Sequence, residues 1–112
     1  MSEYVNPIQE VWDKANLLEK ALAVAGKRGQ AAAEAERKYR VALAGKMLML
    51  KGDGYPATLI GDLARGDEGV AQLKFERDCA AAVYDSAREA INVYKKEIDV
   101  LREQIDREWS RA

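Results

Sequence analysis

Apolar residues between Val70 and Trp109 recur alternately at every third and fourth position: Val70, Leu73, Ala80, Tyr84, Ala87, Ile91, Tyr94, Ile98, Leu101 and Ile105. Only Arg77 and Glu108 interrupt the rhythm, and Trp109 stands beside the second interruption. A spacing of about 3.5 residues held over so many turns keeps one edge of a helix facing a partner, as in a coiled-coil seam. No Gly or Pro falls inside the stretch. Asp67 offers the short acceptor side chain of an N-cap, and Glu68 brings negative charge to the positive end of the helix dipole. The pattern predicts a long amphipathic helix over 67–110 that needs a neighbour.

Earlier in the chain, Met1 to Val5 reads as a loose tail, and Asn6-Pro7 opens a helix. Asn6 suits the cap, Pro7 the first helical position, and Gln9 completes an Asn-x-x-Gln capping box. Ile8, Val11, Ala15, Leu18, Leu22 and Ala25 follow the seam spacing, with Trp12 alongside. Gly26-Lys27-Arg28-Gly29 is the weak place, because each interior glycine costs about 1 kcal/mol against alanine. Gly29 and Ala32 nevertheless stay in phase, and no proline, Asn or Asp accompanies the glycines, which favours one continuous helix over 7–51. Its apolar line continues, shifted by one residue, through Ala35, Tyr39, Ala42, Leu43, Met47 and Leu50. Gly52 and Gly54 then supply C-cap conformations and Pro56 prevents continuation.

Residues 52–66 read as a linker holding a short helix, since Leu59, Ile60 and Leu63 have helical spacing and Gly66 suits its end. The expected fold is therefore all-α, a single domain over 1–112. Two long helices of coiled-coil type form an antiparallel hairpin, with the short helix in the connection. Tyr39, Leu43, Leu73, Tyr84, Ile91, Tyr94, Ile98, Leu101 and Ile105 form its seam. With the turn placed at the linker centre, Trp12 meets the region of Trp109, and Tyr39 the region of Ala80. A second, weaker line on the last helix runs through Cys79, Val83, Ser86, Ala90, Val93 and Val100. A second line implies a second neighbour, so Cys79, Val83, Ala90, Val93 and Val100 are candidate self-association residues of a homo-oligomer. The alternative is that alanine and valine simply fill a helix surface.

Composition narrows the chemistry. Hydrophobic residues make up 48% and charged residues 33% of the chain, the balance of a folded helical protein rather than a disordered one. There is no histidine, which removes the commonest general base and the triads and zinc motifs built on it. Cys79, the single cysteine, has no obvious activating neighbour, reads beside Ala80-Ala81-Ala82 as a structural core residue rather than a nucleophile, and can form no intrachain disulfide. Arg65-Gly66-Asp67 spells an adhesion tripeptide but is explained by a helix end meeting a helix cap, and Gly52-Asp53-Gly54 is too short for a phosphate loop. No enzyme activity, catalytic residue, cofactor, metal site or small-molecule substrate is expected. Without a leader-like start or a long apolar run, the expected setting is soluble and cytoplasmic, away from membranes.

Charge is uneven. Residues 1–51 hold nine Lys and Arg against six Asp and Glu, whereas residues 52–112 hold nine against thirteen. Lys27, Arg28, Arg37, Lys38, Arg40, Lys46 and Lys51 are candidate nucleic-acid-binding residues, a stripe able to contact the phosphates of single-stranded DNA. Against this stands the simpler reading that a basic helix pairs with an acidic one.

Several of these residues resemble a group of small uncharacterised helical proteins encoded by bacterial phages and prophages. The resemblance runs through Tyr39-x-x-Ala42-Leu43 and Gly54-Tyr55-Pro56-x-Thr58-Leu59-Ile60-x-Asp62-Leu63-Ala64-Arg65-Gly66-Asp67. It continues in Val70-Ala71-x-Leu73, Tyr84-x-Ser86-Ala87, Ala90-Ile91 and Arg107-Glu108-Trp109. It covers roughly the last two thirds of the chain and brings no established activity with it; the expected function is a non-enzymatic accessory or scaffold protein in a bacterial host cell, with an unknown protein partner. In layout alone the chain is similar to phage recombination mediators, oligomeric helical hairpins that load a recombinase onto single-stranded DNA. That likeness implies a nucleic-acid-binding accessory as the competing function.

Overall fold

The computed structural model describes residues 6–111, and the tail expected over 1–5 lies outside the described residues. The described residues form three helices and no strand: α1 (Pro7–Gly52), α2 (Ala57–Gly66) and α3 (Glu68–Ser110). The class is all-α. Despite its two glycines, the stretch from Gly26 to Gly29 is helical throughout, so α1 is one element of 46 residues.

The ends are set by local chemistry. Ile8 donates its backbone N–H to Asn6 Oδ1 at 3.0 Å, the expected cap. Gln9 does not close a capping box; its amide donates to Asp13 Oδ1 at 3.0 Å, one turn ahead on the same face. At the other end Tyr55 N–H donates to Leu50 O at 3.2 Å and Gly54 N–H to Lys51 O at 3.1 Å. These two bonds make a Schellman cap. Gly54 takes its left-handed position with φ 87°, while Gly52 remains helical. Only one of the two glycines is therefore a cap.

Between α2 and α3 the break is one residue long. Asp67 has ψ 133°, which ends α2, and its Oδ2 accepts the Val70 N–H at 3.1 Å, which starts α3. Lys46 Nζ lies 3.3 Å from Oδ1 of the same carboxylate. The Val70 hydrogen bond first, and Lys46 second, hold the Asp67 carboxyl below its ordinary pKa.

Contacts divide the chain into two compact units, one of residues 1–27 and 85–112, the other of residues 28–84. The second holds most of the buried apolar residues: Tyr39, Leu50, Ala64 and Val70, with Ala64 fully covered. Arg77, which broke the apolar rhythm, is half-buried there at a seam position. Its guanidinium lies 4.6 Å from the centre of the Tyr39 ring, with Glu36 at 3.4 Å and Asp78 at 2.9 Å. A cation over an aromatic face replaces an aliphatic contact. Gly29 also has a packing role, since a Cβ there would come within 3.1 Å of Tyr84 Cε1.

In the first unit, Pro7 and Ala25 are the buried residues among those described, while Val11, Leu18, Ile91, Tyr94, Ile98, Leu101 and Ile105 are half-buried. Ile8 and Leu22, expected on the seam, are 46% and 52% exposed. A straight helix drifts by about 20° per heptad against strict seam spacing. Ala21 and Lys14 accordingly take inner positions instead. Cross-helix partners are offset from those expected. Tyr39 meets Arg77 rather than Ala80, and Lys14 pairs with Glu97, well short of the Trp109 region. The expectation took the linker centre as the turning point, whereas Pro56, just past the Schellman cap, lies midway between the paired Lys46 and Asp67.

Candidate interaction surfaces

Among the basic candidates of the second unit, three are engaged within the chain. Arg37 pairs with Glu34, Arg40 with Glu36 at 2.7 Å, and Lys46 with Asp67 at 3.3 Å. The Arg37 hydrogen bond lowers the pKa of the Glu34 carboxyl, as expected of a close ion pair. Arg28, Lys38 and Lys51 are exposed and make no ion pair with a described residue, and the same holds for Lys27 in the first unit. Arg37 and Arg40, three residues apart, are neighbours on one side of α1, whereas Lys38 projects about 100° round the helix from Arg37, so the three form no single ladder. Tyr39, between them in sequence, is 7% exposed and carries Arg77 on its ring. A nucleic-acid base has no access to that face.

The candidate self-association residues are open. Cys79, Val83, Val93 and Val100 are exposed and Ala90 is half-buried, so Cys79 is not the core residue expected of it: it lies outside the inward line of α3. Among the seam candidates Tyr39 is buried, and Leu43, Leu73, Tyr84, Ile91, Tyr94, Ile98, Leu101 and Ile105 are half-buried, as Ala90 is.

The first unit carries two openings. One, of about 440 Å³, is lined by Glu10, Lys14, Val93, Lys96, Glu97, Val100 and Leu101. The other, of about 250 Å³, is lined by Leu17, Lys20, Ala21, Val24, Ala87, Ala90 and Tyr94. Glu10, Lys14, Leu17, Ala21 and Val24 follow one another at alternating four- and three-residue steps, so they share one face of α1. The two openings thus belong to one groove. Its floor is crossed by the Lys14–Glu97 ion pair, with Lys14 Nζ 5.9 Å from the Tyr94 ring centre. The hydrogen bond to Glu97 raises the Lys14 pKa. Ala21, Ala87 and Ala90 leave space where larger side chains would fill it.

No family model, curated protein or solved structure matches the chain.

Among the described residues no group of His, Cys, Asp or Glu gathers to hold a metal ion, and no helix is long and apolar enough to cross a membrane. On α3 the openings are lined in part by Ala90, Val93 and Val100, which are among the candidate self-association residues. On α1 the lining from Glu10 to Val24 follows a second line of helical spacing that no candidate covered, because two of its five positions, Glu10 and Lys14, are charged and break the apolar repeat.

Proposed function

We propose that the chain is an antiparallel hairpin of two long helices that works as a non-enzymatic accessory or scaffold protein of phage or prophage origin in the cytoplasm of its host. It acts by associating with copies of itself and with a protein partner through helical faces. The observation that carries this reading is the contrast between exposed and buried apolar residues in the first unit. Leu17, Val24, Val93 and Val100 are exposed along the two openings there, and Ile8, Trp12, Leu22 and Trp109 are exposed away from them. Apolar surface contributes about 25 cal/mol per Å² when it leaves water, so such a face favours a partner. The hairpin is supported by partners within each unit. Glu36 and Lys46 pair with Arg77 and Asp67 in reverse order, and Lys14 pairs with Glu97. Light scattering over a wide concentration range tests self-association, and a monomer mass throughout removes it.

A second reading, a nucleic-acid-binding accessory of replication or recombination, rests on the exposed Lys27, Arg28, Lys38 and Lys51. It requires binding to single-stranded DNA that weakens with salt at a log-log slope of about -0.7 per phosphate contact. Titration at low salt that detects no binding rejects it.

A further inference from the structure

We propose that a second copy of the chain docks on the outer face of α1 in the second unit, its Phe75 entering the gap framed by Val41, Ala44, Gly45 and Leu48. This names the surface of the self-association proposed above and rests on that reading. It uses faces of the second unit and leaves the openings of the first aside.

Val41, Ala44, Gly45 and Leu48 are all exposed, and they stand at i, i+3, i+4 and i+7 of one helix. Four residues at that spacing surround the gap into which a facing helix inserts a side chain. Val41 and Leu48, 62% and 71% exposed, form its apolar ends, while alanine and glycine keep its middle low. A Cβ at Gly45 would meet nothing within 4 Å, so that middle is open. On α3, Phe75 is 63% exposed and shares a strip with Cys79 and Val83, two of the candidate self-association residues. An uncovered aromatic ring and an uncovered apolar gap each favour a partner.

Charge selects the occupant. Lys38 and Lys51 flank the gap, are exposed and make no ion pair with a described residue. Arg37, on the same face, is held by Glu34. Around Phe75 the exposed charges without an ion pair to a described residue have the opposite sign: Glu76 beside it, and Glu68 seven residues before it. Lys74 and Arg77 stand about 140° and 160° round α3 from Cys79, off the strip, and both pair with Asp78. Two α1 faces brought together set lysine against lysine in either helix direction, and two α3 strips set glutamate against glutamate. Only unlike faces attract.

Val41 is two residues past Tyr39 and Cys79 two past Arg77, so each strip lies about 200° round its helix from the Tyr39–Arg77 contact. Turned away from each other, the two strips cannot serve one partner copy at once. The contact is therefore heterologous: each copy gives its Phe75 to one neighbour and receives that of another, and assembly proceeds beyond a pair.

Light scattering of the full-length protein over a wide concentration range tests the contact. The wild type is expected to grow past the dimer mass. Gly45→Leu fills the gap and Phe75→Glu removes the ring, so each variant alone should stay at the monomer mass. Mixed, they should pair and stop at a dimer, because the first keeps only the ring and the second only the gap. Leucine and glutamate form helix better than glycine and phenylalanine, so helicity by circular dichroism should be kept in both. An oligomeric wild type whose Gly45→Leu variant has the same mass overturns this surface while self-association stands. A wild type that stops at a dimer overturns the heterologous arrangement, and monomeric variants that fail to pair when mixed overturn the match of ring to gap. A wild type that is monomeric at every concentration fails both proposals and leaves the two faces to another occupant.

Discussion

Arg77 and the glycine pair in α1 are the residues where a local rule and the folded context disagree. Arg77 sits where the seam calls for an aliphatic side chain, and Tyr39 makes that acceptable by presenting its ring 4.6 Å away. Gly26 and Gly29 have the same intrinsic helix cost but different surroundings. A Cβ at Gly26 meets nothing within 4 Å, whereas one at Gly29 comes within 3.1 Å of Tyr84 Cε1 and 3.2 Å of its Cζ. Gly26→Ala is expected to stabilise the protein by about 1 kcal/mol. Gly29→Ala must first displace the tyrosine ring, so its thermal midpoint should fall below that of Gly26→Ala. Melting followed by circular dichroism decides, and equal gains would show that Tyr84 yields freely.

At the scale of the element, Asp67 does two things for α3. Its carboxylate caps the first turn through Val70 and receives Lys46 from α1. Because the folded-state pKa is depressed, the contribution is fully present above the ordinary carboxylate pKa of about 4 and is lost as pH falls through the lower folded value. Asp67→Ala should therefore lower the thermal midpoint at neutral pH, and the gap to wild type should close towards pH 2. A gap that is constant across that range would mean the side chain acts without its charge. At the end of α1, by contrast, the device is conformational. Gly54 alone has the positive φ that a Schellman cap needs, and Tyr55 and Pro56 then carry the chain out of the helix.

For the molecule as a whole, both units leave large apolar side chains exposed, Val41, Leu48 and Phe75 in one and Trp12, Val100 and Trp109 in the other, but they differ in what they bury. Residues 28–84 bury Tyr39, Leu50, Ala64 and Val70, while Ala25 is the buried hydrophobic residue of the unit of residues 1–27 and 85–112. Local opening is easiest where few apolar contacts resist it. Hydrogen exchange of dilute protein should therefore be faster over residues 8–24 and 88–108 than over 39–50 and 64–77. Raising the protein concentration should slow the second set selectively, because association stabilises the species that binds. Uniform exchange at all concentrations would contradict both the difference between units and the proposed contact.

How much of this was legible beforehand follows from the range of each interaction. The three helices, the Asn6 and Asp67 caps and the stop before Pro56 depend on residues within a turn of one another, so the sequence by itself determined them. The inward line through Tyr39, Leu43 and Leu50, and from Leu73 to Ile105, followed from helical periodicity in the same way. Cross-helix partners did not. Tyr39 with Arg77, Lys46 with Asp67 and Tyr84 over Gly29 depend on the offset between α1 and α3, and a shift of a few residues in that offset moves every partner. Helical periodicity states which face turns inward but carries no information on the offset between two faces. Only the tertiary structure decided that offset, and with it the groove that Lys14, Leu17 and Val24 share with Glu97, Tyr94 and Val100.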